Sequence, residues 1–125
     1  MKPPADRLRF VASEEVQSAL KSLPAALRTQ ACRLVVVLED HPSEELIDDG
    51  IEPDTLGLFV GDAWQDGDNS AAPLPPQIIL YVESLWAYAE ENEATYRVEV
   101  RRTYLHELGH YLGLDEDDLE LRGLE

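Results

Sequence analysis

Residues 94–113, ATYRVEVRRTYLHELGHYLG, carry the longest helical pattern in this 125-residue chain, so any fold must give that helix a surface to pack on. Val100, Tyr104, Leu108 and Tyr111, with Leu105 and Leu112 beside them, recur at helical spacing and form the stripe expected to face a sheet. Glu99, Arg102, Thr103, His106 and His110 form a neighbouring polar stripe. The chain is long enough to bury roughly two-thirds of its unfolded surface without covalent staples.

The rest of the chain must supply that surface. Residues 13–30, SEEVQSALKSLPAALRTQ, predict a helix with Ser13 as N-cap and Val16, Ala19, Leu20 and Leu23 on one face, interrupted or restarted at Pro24. The Leu-Val-Val-Val-Leu run at 34–38 is short and β-branched, and predicts a central strand buried on both faces. HPSEELIDDG predicts a short helix entered at Pro42 and Ser43 and left at Gly50. Residues 55–61, TLGLFVG, predict a strand at a sheet edge, and 77–82, QIILYV, another strand, followed by a helix over ESLWAYAEE. Between those strands, DAWQDGDNSAAPLPPQ has the composition of a long loop around Trp64. This order predicts an α+β fold, one domain over residues 1–125, with a short mixed sheet packed against helices and the histidine-bearing helix near the C-terminal end.

Charge narrows the function classes. The formal net charge is −16, and from Leu34 to Tyr96 there are fifteen Asp or Glu and no Lys or Arg. Such a surface repels phosphate backbones and concentrates cations or basic segments, which argues against nucleic acid as a partner. No apolar run reaches signal-peptide or membrane-spanning length, so a soluble, cytoplasmic protein is expected. Cys32 is the single cysteine; a buried, inert thiol is the expectation for it.

The polar stripe carries the chemistry. His106 and His110 are four residues apart and stand one above the other on a helix, with imidazoles able to converge on one cation. Glu107 is rotated from His106 by about 100°, beside rather than among such ligands, where a carboxylate suits general-base work on metal-activated water. H-E-x-x-H is therefore a pattern with a mechanism, although two histidines on a solvated helix face would also fit it. Gly109 permits close approach of another backbone or a substrate, and Gly113 is placed to end the helix in a left-handed turn. Beyond it, residues 115–118, DEDD, offer carboxylates for a third ligand position. Glu116 ranks first, with Asp115 and Asp118 as alternates; the same acids could instead favour the start of a final helix. His41, after a strand and before a Pro-led helix start, is a weak competitor.

His106, Glu107, His110, Gly113 and Glu116 together read H-E-x-x-H-x-x-G-x-x-E, which resembles the extended motif of the zincin metallopeptidases. The layout from LPAAL through VVVLED, GLFVG, a Pro-rich loop and IILY to VRRTYLHELGHYLGLDEDDLE is similar to a family of compact bacterial zincin-like proteins. That resemblance implies a Zn²⁺-dependent hydrolase of peptide bonds, with His106, His110 and Glu116 as metal ligands and Glu107 as base. Two departures stand out. Larger relatives carry a methionine turn below the metal, whereas the single methionine here is Met1, and their third ligand is usually histidine.

On this reading an exposed strand such as Gly57–Val60 could hold an extended peptide, Tyr81 or Tyr111 could steady an oxyanion, and the acidity favours basic peptide substrates. Two other classes stay open: a metal-binding protein without activity, and an acidic interaction module that captures a basic partner.

Overall fold

The computed structural model describes residues 4–61 and 76–113. In chain order the elements are α1 (Ala5–Ser22), α2 (Ala25–Ala31), β1 (Val35–Glu39), α3 (Glu44–Asp48), β2 (Gly57–Val60), β3 (Gln77–Tyr81), α4 (Val82–Tyr88) and α5 (Glu93–Leu112). The α+β expectation holds: a mixed three-stranded sheet packs against helices, and α5 carries the motif.

The first helix begins two turns before Ser13, directly after Pro4, so Ser13 is a mid-helix residue and not an N-cap. The reason is visible in its buried face, where Leu8, Val11 and Ala12 extend the Val16, Ala19 and Leu23 stripe upstream. Pro24 then divides the segment as expected. It draws Leu23 into extended backbone, because a residue before proline is disfavoured in the helical region, and itself caps α2. At α3 the Ser43 side chain accepts from the Leu46 N–H, and the helix closes just before Gly50.

The sheet order is β1-β3-β2, which corrects the placement of the apolar run at 34–38. That run forms β1 at an edge, its residues mostly half-buried, whereas β3 is central and pairs parallel with β1 and antiparallel with β2. β-branched composition marks a strand, but position in a sheet is decided by which segments pair. Ile78 and Leu80 of β3 are fully buried, with Val36 and Leu38 of β1 and Phe59 of β2 packed in the same core.

α5 lies on the sheet through β2 and β3 and is flanked by α1 and α4. Asn92 caps it, its side chain accepting from the Thr95 N–H at 2.9 Å. The expected stripe of Val100, Tyr104, Leu105, Leu108 and Tyr111 is buried, and the buried Tyr96 hydroxyl donates to the Leu8 carbonyl at 2.7 Å, tying α5 to α1. Arg97 reaches Glu14 and Glu15 of α1, and Arg101 reaches Ser22.

Cys32 is exposed, contrary to expectation. It caps α2 between buried Ala31 and buried Leu34, at a turn where the chain leaves the helix and the thiol keeps access to solvent. Among the described residues no helix is long and apolar enough to cross a membrane.

Candidate metal centre

The three polar residues of the HELGH segment meet on the last turns of α5. One ligand atom from each of His106, Glu107 and His110 lies within 4.8 Å of the others. The two imidazole rings have centroids 4.7 Å apart at an interplanar angle of 64°, and His110 Nδ1 is 3.3 Å from Glu107 Oε1. Their environments differ along the row. Glu107 is buried at 8 % exposure, His106 is half-buried and the His110 side chain is 52 % exposed. The chemistry of this group suits a divalent transition metal: two imidazoles to ligate it, with a carboxylate withdrawn from solvent beside them.

What buries Glu107 follows from helix phase. Thr103, Glu107 and Tyr111 recur every fourth residue and share one face. At its start, a Cβ built on Gly57 of β2 would stand 2.6 Å from Thr103 Cγ2; at its end, the Phe59 ring of β2 lies 5.8 Å from the Tyr111 ring. Glu107 is between these contacts and therefore lies beneath β2. Among the described residues β2 is an edge strand, pairing only with β3.

The polar stripe is less exposed than its composition indicates. Glu99 and Thr103 are buried, and Glu99 Oε1 accepts from Arg102 Nη1 at 3.0 Å. Neither this pair nor the Gly57–Thr103 contact was singled out from sequence. Gly57 carries a signal, since a strand glycine marks either exposed backbone, the expectation above, or the close approach to a helix that the structure shows.

Helix α5 ends as expected: Gly113 adopts φ 74°, the left-handed conformation that glycine enters without a Cβ penalty, and turns the chain out of the helix axis. Glu116 and its alternates Asp115 and Asp118 lie outside the described residues, as do Trp64 and the Pro-rich loop. His41 is not brought to the group; its Nδ1 lies 3.3 Å from Ser84 Oγ on α4.

The two tyrosines considered for an oxyanion separate. Leu80 Cδ2 is 3.4 Å from the Cβ position on Gly57, so Leu80 points to the α5 side and the next residue, Tyr81, points to the other. Tyr81 is thus turned away from the histidines; burial raises its pKa, and Glu39 raises it further. Tyr111 lies on the Glu107 face, its pKa raised by burial against an opposing effect of Arg33.

A family model described as zincin-like metallopeptidase matches residues 31–124, which spans β1, β2, β3 and the whole motif. No curated protein matches the chain.

Proposed function

We infer that this chain, which belongs to the zincin-like metallopeptidase family, is a zinc-dependent peptidase that uses His106 and His110 to hold the metal and Glu107 as general base. The observation that carries this reading is the convergence of a half-buried and an exposed imidazole with one buried carboxylate, all within 4.8 Å, on the helix that packs against β2. Glu116, which follows the left-handed turn at Gly113 in the chain, is assigned the third ligand position, leaving one position for water and substrate.

Zinc, when bound, supplies the Lewis acidity that lowers the pKa of a water to about 7 and polarises a carbonyl. The chain's own residues do the rest. Glu107 takes a proton from the attacking water and passes it to the leaving amine. Its seat beneath β2 keeps the carboxylate out of bulk solvent, where its interaction with a proton donor is stronger than in water. The outer edge of β2 offers backbone N–H and C=O groups to an extended peptide, which would pass along the α5 row by strand addition. The acidic stretch between residues 34 and 96 favours encounter with basic peptides.

The test is cleavage of a mixed-sequence peptide library by zinc-loaded protein, followed by mass spectrometry. Wild type should generate new termini that disappear with chelator and with Glu107→Gln, while Glu107→Gln retains zinc. Zinc retention without any cleavage would instead leave a metal-binding protein with no peptidase activity.

A further inference from the structure

The motif leaves one buried acid on α5 without a task. Glu99 shares the helix face of His106 and His110, two turns toward the N-terminus, and its side chain is 11 % exposed. A carboxylate in such a position is stable only when paired, and the partner is Arg102, at 3.0 Å. Arg102 is 61 % exposed, so one nitrogen of its guanidinium is tied down while the rest of the fork faces solvent.

The three arginines of α5 divide by what they touch. Arg97 and Arg101 join α5 to α1. Arg102 pairs within its own helix and stands one turn before His106, in the row Arg102, His106, His110. Four residues of helix rise about 6 Å, which matches roughly two residues of extended chain. Residues 34–96, which include β2 and β3, contribute no Lys or Arg, so neither strand beside α5 brings a cation of its own to this row.

Resting on the peptidase reading above, we propose that Arg102, oriented by buried Glu99, is a specificity residue that binds a carboxylate of the substrate within about two residues of the scissile bond. Arginine fits the task because its planar fork pairs a carboxylate through two N–H groups, and Glu99 fixes the fork before substrate arrives. The carboxylate has two sources, an acidic side chain or the peptide's own C-terminus. The acidic surface brings in a chain that is neutral or basic elsewhere, and Arg102 sets its register over the metal row.

The experiment uses zinc-loaded Glu107→Gln protein and fluorescent peptides, built around a cleavage site found for wild type, with binding read by anisotropy. Peptides carry Glu or Gln at each of the two positions on either side of the bond, and end in a free carboxylate or an amide. The expected result is a preference of about fivefold to tenfold for one carboxylate-bearing member. It should be lost with Arg102→Ala, partly kept with Arg102→Lys, reduced with Glu99→Gln and weakened by high salt, with zinc content unchanged throughout. Preference for Glu over Gln identifies a side-chain carboxylate; preference for acid over amide identifies the C-terminus. Equal binding of all members, or a preference that survives Arg102→Ala, overturns the proposal while the peptidase assignment stands. If no peptide is cleaved by wild type or bound by Glu107→Gln, the peptidase reading itself fails and this inference falls with it.

Discussion

Gly57 and Thr103 meet so closely that a Cβ on Gly57 would stand 2.6 Å from Thr103 Cγ2. This contact sets how near the edge strand β2 comes to α5 one turn before Glu107, and so the depth at which that carboxylate lies. Gly57→Ala should therefore push strand and helix apart and destabilise the fold by about 1–3 kcal/mol, as overpacking does. Thr103→Ser removes the offending methyl and should restore most of the loss in the double variant. Urea denaturation of the two single variants and the pair measures the coupling directly.

The buried hydrogen bond from Tyr96 to the Leu8 carbonyl links the first helix to the last. Tyr96→Phe keeps the ring but removes the interhelical donor from a carbonyl inside α1, and should cost about 0.5–1.5 kcal/mol. A shift of the urea midpoint at unchanged slope checks it.

Alkaline pH should unfold the protein in a defined window. Burial, with a smaller contribution from Cys32, pushes the Tyr104 phenol from 10.0 up to about 12, and burial raises Tyr81, Tyr96 and Tyr111 in the same direction. Above pH 10 the unfolded chain releases protons that the folded chain keeps, so stability is whole below that pH and falls as pH rises toward 12. For Tyr104 alone the loss is on the order of 2–3 kcal/mol. Urea midpoints measured from pH 8 upward should hold level to about pH 10 and then decline; a level response up to pH 12 would contradict the packing described for α5.

Exposed Cys32 should react with an aromatic disulfide reagent in the native state, without denaturant, and its modification should leave the circular dichroism spectrum unchanged. Protection until unfolding would contradict its placement outside the core.

What was legible in the sequence was what local periodicity encodes. The α5 stripe of Val100, Tyr104, Leu108 and Tyr111, the break at Pro24, the cap at Ser43 and the turn at Gly113 each depend on neighbours within a few residues. His106, Glu107 and His110 were legible for the same reason, since one helix brings them together. What was missed depends on partners distant in the chain. β1 is an edge because β3 pairs between it and β2, and Glu99 and Thr103 are buried although their polarity marks a solvent face. Tyr81 faces away from the motif because strand alternation is fixed by the register against Gly57. Cys32 borders an apolar run yet is exposed at a helix end, a difference that composition does not carry.

Zinc held by His106 and His110 is what the peptidase assignment stands on. Elemental analysis after zinc loading and exhaustive desalting, on wild type and His106→Ala, tests it most directly. About one zinc per chain is expected in wild type, lost in His106→Ala, with both proteins folded by circular dichroism. Wild-type protein that retains no zinc would contradict it and leave the HELGH segment as a polar helix face.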